Sequence, residues 1–287
     1  MAQKDMVEKL LEDHEDVFAD IVNVLLFNGK RVISESSLKE TKLTSQYKAE
    51  IGKLHEQERD VAKYWIDGNA RIALCGLENQ TSEEKYMPLR VIGYDGASYR
   101  QQLMKENKGN KIVPVVTLVL YYGTSRWSSP HNLKGVLDIN DKFKPFVNDY
   151  KANIFDIAFL NEDTVQKFTS DFRIVADFFV QKRKNKSYEP SRQKITHVDE
   201  VLKFLRTMTG DSRYEVEFSK EDKERGVNMC NVIDKVEKQG IEKGIEQGIF
   251  DIISRMLKKG KSVQEIVDLT DYEEAKVQEV ADALENC

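Results

Sequence analysis

Cysteine is scarce in this chain: Cys75, Cys230 and Cys287 are far apart and odd in number. That excludes a disulfide framework and any paired-cysteine zinc spacing, and it suits a reducing cytosol. The four histidines, His14, His55, His131 and His197, are scattered, with no i,i+4 pair and no cysteine partner, so a zinc hydrolase is not expected. No apolar run approaches ~18 residues, and the first five residues carry no apolar secretion segment, so neither a membrane span nor export is expected. A Gly-x-x-x-x-Gly-Lys phosphate loop and a Gly-x-Ser-x-Gly elbow are both missing, which removes the usual nucleotide-binding and esterase readings. Strong positive charge is absent too. With 44 basic and 49 acidic residues the net charge is −5, so the chain is not a passive nucleic-acid wrapper, and any DNA contact must rely on a local basic surface.

What remains is an ordinary globular composition, 40% hydrophobic and 32% charged with only 5 Pro and 15 Gly over 287 residues. That length buries a full core in one or two domains. Apolar spacing predicts an amphipathic helix over 7–27, interrupted near Glu15-Asp16 and stopped at Asn28-Gly29. Residues 60–65 and 70–77 read as two strands joined by the hairpin signal Asp67-Gly68-Asn69. Pro88 opens a helix running through Lys105, since its fixed φ suits the first turn. The β-branched run 112–122 reads as a central strand covered on both faces. A further strand is expected over 153–160, and helices over 163–184 and 198–208. Strands interleaved with such helices predict an α/β core, its sheet made mixed by the hairpin.

Beyond about Ser212 the character changes, which suggests a first domain over 1–211 and a helical tail over 212–287. A heavily charged stretch reads as linker or frayed helix. A four-residue repeat then places Gly240, Gly244 and Gly248 on one stripe beside isoleucines. Each interior glycine costs a helix about 1 kcal/mol against alanine. The stripe either admits a partner helix closely, for instance from a second subunit, or forms a flexible tether. The last segment, 252–284, reads as short helices with Ser262 and Asp271 as N-caps, a pattern shared by helix-turn-helix DNA readers and by ordinary helical pairs.

The residues with the clearest chemistry are Asp60 and Glu78. Side chains alternate along a strand, so Glu78 and Gln80 share a face while Asn79 points away. A turn at Asp67-Gly68 sets Asp60 across from about Cys75 or Gly76, with Glu78 a diagonal neighbour roughly 7–8 Å away. Two carboxylates at that separation can share a Mg²⁺, which binds oxygen at about 2.1 Å and needs only one or two of them. Such an ion would acidify a bound water and offset charge on a phosphodiester. Lys63, an odd number of positions from Asp60, points to the opposite face. The densest basic stretch, Lys182-Arg183-Lys184-Asn185-Lys186 with Arg192 and Lys194, reads either as charge at a helix C-terminus or as a phosphate contact.

Residues 16–23, 77–81, Met87-Pro88-Leu89-Arg90 and 114–123 followed by Trp127 together make the chain resemble the Rpn/YhgA-like family, transposase-related recombination-promoting nucleases of the PD-(D/E)XK superfamily. The similarity spans roughly residues 10–180, and the glycine repeat resembles that family's C-terminal repeats. The resemblance implies a restriction-endonuclease-like mixed sheet flanked by helices, and a cytoplasmic DNA endonuclease using Mg²⁺ or Mn²⁺ and linked to recombination or mobile elements. Asp60 and Glu78 would bind the metal. Gln80, where the superfamily has Lys, would position the water, and Asp20 would add an acidic group from the first helix. The C-terminal helices would serve homo-oligomerisation or target engagement. A neutral amide at Gln80 supplies no charge, so the alternative is a catalytically decayed nuclease fold acting as a DNA-binding or assembly module.

Overall fold

The fold begins with a short amphipathic helix whose end is written in its last residues. In a computed structural model of the chain, which describes residues 11–41, 44–48, 54–58, 60–68, 70–105, 111–184 and 188–285, helix α1 (Glu15–Phe27) starts after a break at Asp13-His14. It stops where Asn28 (φ 56°) and Gly29 (φ 83°) adopt left-handed backbone. Strand β1 (Leu38–Glu40) follows. Then come a separate two-stranded hairpin, β2 (Thr44–Lys48) and β3 (Leu54–Glu58), and the long hairpin of β4 (Val61–Asp67) and β5 (Ala70–Gln80). Helix α2 (Met87–Lys105) crosses over to β6 (Val115–Tyr121), as a parallel neighbour requires. A long connection containing the one-turn helix α3 (Leu133–Val136) leads to β7 (Asn153–Asp156). The five-stranded sheet has the order β1-β4-β5-β6-β7, antiparallel at β1/β4/β5 and parallel at β5/β6/β7. The expected mixed α/β sheet is present.

Two layers of helix cover it. On one face α2 packs Met87 and Val91 against Val119, Tyr121 and Trp127 of the β6 end. Its far end ties the edge of β6 through Gln102, whose amide bonds both the N–H and the C=O of Val113. The other face holds α1 with α5 (Phe172–Arg183) and α6 (Val198–Thr209), the latter two meeting Tyr122 through Phe179 and Phe204 at 5.0 and 5.5 Å between rings. Leu118, Val119 and Leu120 of β6 are fully buried, each such side chain contributing about 1.5–3 kcal/mol.

Three local expectations differ. The strand at 153 stops at Asp156 and becomes a 3₁₀ turn over Ile157–Phe159. The helix over 163–184 is two helices, α4 (Glu162–Val165) and α5, because the backbone at Thr169-Ser170 bonds to a carboxylate on α1 instead of continuing the spiral. Asp271 is the C-cap of its preceding helix, at φ 58°, and not an N-cap.

The chain forms two compact units, residues 1–229 and 230–287. In the first, α7 (Lys220–Arg225) is opened by a Ser219–Asp222 capping box, and Tyr214 packs on Phe178. Burial pushes the Tyr214 phenol up to about 12, with Asp211 adding to the rise and Arg213 opposing it. The folded chain therefore keeps a proton that the unfolded chain loses above the ordinary value of 10.0. The stability this represents is complete below that value and is lost as pH rises towards the folded one. Urea-unfolding free energies are expected to fall across that window, and to fall less steeply in Tyr214→Phe. The second unit contains most of α8 (Met229–Lys258), then α9 (Val263–Thr270) and α10 (Glu274–Glu285), held by Ile253, Ile266, Val277 and Val280. Ser262 caps α9 as expected, in a capping box with Glu265. A Cβ added at Gly240, Gly244 or Gly248 meets nothing within 4 Å, and Ile241 and Ile245 beside them are each 58% exposed.

Candidate functional site

The β4–β5 hairpin builds the site. Gly68, at φ 57°, makes the turn, and Asp67 pairs with Ala70; Asn69 lies outside the described residues. A bulge between Trp65 and Ile66 shifts the register by one more residue, so that Val61 pairs with Leu77. Continued one step past the end of β4, that register sets Asp60 opposite Glu78, where the sequence reading expected a diagonal neighbour. Residues directly opposed in an antiparallel pair put their side chains on the same face. That face also carries Ala62, Tyr64 and Leu74 and is covered by α2.

Both carboxylates are buried and held. Asp60 is 9% exposed, and its Oδ2 accepts the backbone N–H of Asn79 at 2.6 Å. Glu78 is 2% exposed, and its Oε1 accepts from Arg90 Nη2 at 2.5 Å, from Gln80 Nε2 at 3.2 Å and from Tyr94 OH at 3.3 Å. Arg90 and Tyr94 are i,i+4 on α2, so they form one ridge above the carboxylate, with Arg90 Nη2 also donating to Tyr94 OH at 2.9 Å. Burial raises the Tyr94 phenol, and the negative charges of Glu78 and of Asp60 raise it further, so both acids act on this hydroxyl. Burial is the largest single influence on Arg90 and would lower it, but Glu78, Tyr94 and Glu84 together outweigh burial and hold the guanidinium above its ordinary range.

The opposite face of β5 carries a second polar group. Asn79 Nδ2 donates to Glu12 Oε2 at 2.7 Å, and Tyr122 OH donates to Glu12 Oε1 at 3.2 Å; Glu12 is fully buried. Lys63 points to this face, as strand parity requires, and sits 3.3 Å from Asp13. Asp60 is linked to this second group through the backbone, since the N–H it accepts belongs to Asn79.

Asp20 is not brought to this place by any of its hydrogen bonds. Its Oδ2 accepts Thr169 N, Ser170 N and Ser170 Oγ at 2.8, 2.8 and 2.7 Å, and its Oδ1 accepts Thr169 Oγ1 at 3.2 Å. It borders a different cavity, of about 300 Å³, shared with Asp16, Asn23, Arg31 and Lys167. Gly76, two residues before Glu78, pairs with Thr117, and Thr117 is bonded to Asp95 of α2 at 2.6 Å, so the helix lies close over this stretch of the sheet.

Sequence reading missed two residues. Arg90 lies in a stretch that carried the family resemblance, yet only the packing of α2 aims it at Glu78. Glu12 gave no signal beyond an acidic residue in an apolar helical pattern. Glu83 has a supporting role: its carboxylate accepts from both the N–H and the hydroxyl of Ser128 and of Ser129. Those bonds, led by the Ser129 hydroxyl, hold its carboxyl below the usual range and join the loop after β5 to the loop after β6. The basic stretch has local partners. Arg183 lies 4.4 Å over the Phe159 ring, Lys182 lies 5.8 Å over Phe178, and Lys184 is 3.8 Å from Glu162. Asn185 and Lys186 lie outside the described residues.

Two opposed acids at the end of a β-hairpin, clamped by an arginine from the crossover helix, define an α/β protein with a carboxylate site at its sheet. The chain belongs to the family described as "Putative transposase, YhgA-like", whose model matches residues 66–212, just over half its length. That span includes Glu78, Gln80 and Arg90, while Asp20 and Asp60 precede it. No curated protein and no solved structure matches the chain. Among the described residues no helix is long and apolar enough to cross a membrane.

Proposed function

We propose that the chain is a metal-dependent DNA endonuclease of the PD-(D/E)XK type, acting in the cytoplasm in recombination or on mobile elements. The observation that carries this reading is the β4–β5 register, which continued one step past Val61–Leu77 sets Asp60 opposite Glu78, with a guanidinium against Glu78. Two hard oxygen donors already oriented by Asn79 N, Arg90, Tyr94 and Gln80 suit Mg²⁺ or Mn²⁺. Such an ion supplies a more acidic water and charge neutralisation at phosphorus. Asp60 and Glu78 hold it. Gln80, whose amide bonds Glu78, orients but adds no charge. Arg90 brings the positive charge that Gln80 lacks, in a form suited to bidentate phosphate contact.

The test is plasmid cleavage by the full chain in chelator and then in rising Mg²⁺ or Mn²⁺, with Asp60→Ala alongside and an RNA substrate in parallel. Cleavage that needs the ion and is lost in Asp60→Ala supports the proposal. Metal-independent cleavage, or equal cleavage by the variant, overturns it, and preference for RNA moves the substrate class.

A second reading has its own observation. Arg90, Tyr94 and Gln80 all converge on the same Glu78 oxygen, as they would in a decayed site serving a DNA-binding or assembly protein. DNA binding without cleavage under every ion tested would decide for it. In either case we assign self-association, not DNA reading, to the C-terminal unit. α10 carries Glu274, Glu279 and Asp282, and its Lys276 is bonded to Glu279, whereas Ile241 and Ile245 stand exposed on α8.

A further inference from the structure

His14 and His197 lie 183 positions apart in the chain and meet face to face, their rings 3.7 Å apart between centroids and 20° from parallel. Each is the N-cap residue of a helix, α1 and α6, and neither side chain makes a capping hydrogen bond. N-cap positions favour Ser, Thr, Asp or Asn because those side chains satisfy the orphan N–H groups. Here two helix starts give up that bond and turn imidazoles toward each other. Asp16 joins them, with His197 Nε2 at 3.1 Å from each of its carboxylate oxygens. Glu200 stands 3.8 Å from His14 Nε2. The backbone of His197 is itself fixed, its N–H donating to Asp171 Oδ2 at 2.6 Å.

We propose that His14, Asp16 and His197 form a zinc-type cation site, with Glu200 as a fourth ligand. Candidate ligand atoms of His14, Asp16 and His197 all lie within 4.8 Å of one another, and Glu200 is placed by its 3.8 Å approach to His14. Zinc binds imidazole nitrogen and carboxylate oxygen at about 2.0–2.2 Å, which places tetrahedral ligand atoms roughly 3.4 Å apart. Closing the set takes a contraction of up to about 1.4 Å, from within 4.8 Å to the roughly 3.4 Å of a tetrahedral zinc site, and a swing of one imidazole out of the stack, because parallel rings do not aim their nitrogens at one point. Two imidazoles with one or two carboxylates suit Zn²⁺ and its neighbours, while Asp60 and Glu78 offer only hard oxygen. The two sites therefore differ in metal preference. The site joins the first turn of α1 to that of α6, and His14 is two residues from Glu12, the partner of Asn79 and Tyr122. An ion here fastens the segment that backs β5 on the face away from Glu78.

The experiment uses tag-free, chelator-stripped full chain titrated with Zn²⁺ by calorimetry, and reads binding and not cleavage, so its outcome is independent of the nuclease assignment. One equivalent is expected to bind and to raise Tm. His14→Ala and His197→Ala are expected to weaken it by more than the roughly 10–100-fold that loss of an outer-sphere partner costs, and Asp60→Ala to leave it intact. Imidazole ¹⁵N NMR on the wild-type chain removes the dependence on variant folding: zinc should shift His14 and His197 and leave His131 in place. The proposal is overturned by the absence of zinc binding, by binding that persists in the double variant, or by shifts confined to other histidines.

Discussion

Cleavage by Glu78→Ala is expected to fall below detection at saturating Mg²⁺, and cleavage by Arg90→Met to fall about 10²–10³-fold, the range seen when one preorganised group stabilising transition-state charge is removed. The two losses have different origins. In the proposed reading Glu78→Ala removes a metal ligand. Arg90→Met removes the cation that holds Glu78 in place and that, in the proposed reading, would stand in for the absent lysine. The ion pair is unequally buried, Glu78 at 3% and Arg90 at 38% side-chain exposure. Cutting away Arg90 therefore strands a buried charge, at a cost of about 3–5 kcal/mol. Arg90→Met must accordingly be read beside its unfolding curve and beside Arg90→Lys. Lysine keeps the charge but not the fork, so partial rescue of cleavage would point to charge as the main contribution, and none would point to geometry. The double variant Glu78→Ala/Arg90→Met is expected to be more stable than Arg90→Met, since the stranded carboxylate is gone. That reversal, measured by urea unfolding, shows the coupling directly. In the decayed-site reading the stability pattern is the same and no variant changes cleavage, because there is none to change.

How much of this was readable from the sequence follows the range of each cause. Local causes were legible. Asn28-Gly29 stops α1 and Gly68 turns the hairpin because backbone freedom belongs to those residues. Strand parity put Glu78 and Gln80 together and sent Lys63 away, since alternation needs no knowledge of partners. Register was not legible. The turn centred one residue later than expected, which moves each partner by two positions, and the bulge at Trp65/Ile66 moved it by one more, so the register continued past Val61–Leu77 sets Asp60 opposite Glu78 and not Cys75. Side-chain partnerships across helices were invisible for the same reason. Arg90 meets Glu78 only because α2 lies on that face. His14 meets His197 only because two helix starts converge, although as isolated histidines they spelled no metal motif. The apolar spacing of Val165, Phe168 and Phe172 continues smoothly through the break between α4 and α5, so periodicity alone reads a single helix there.

Asp20 is the residue for which the two levels of reading give opposite results, and its substitution separates them. The resemblance made it a third acidic group of the nuclease site. In the fold it is an 8%-exposed carboxylate whose four hydrogen bonds all go to Thr169 and Ser170. Two of those donors are backbone N–H groups at the point where α4 gives way to α5, and the carboxylate satisfies them in place of a helical turn. Asp20→Ala leaves both without that acceptor and removes charge-assisted bonds each worth about 1.5–3 kcal/mol, though not additively. A loss near 3 kcal/mol is expected. It should appear as a lower urea midpoint with an unchanged slope, because the same surface unfolds. Cleavage per folded molecule should stay at the wild-type level, since the residue acts through the α1–α5 junction and not through phosphate. Normal stability together with lost cleavage would return Asp20 to the active site and would mean that α1 approaches Glu78 when DNA is bound.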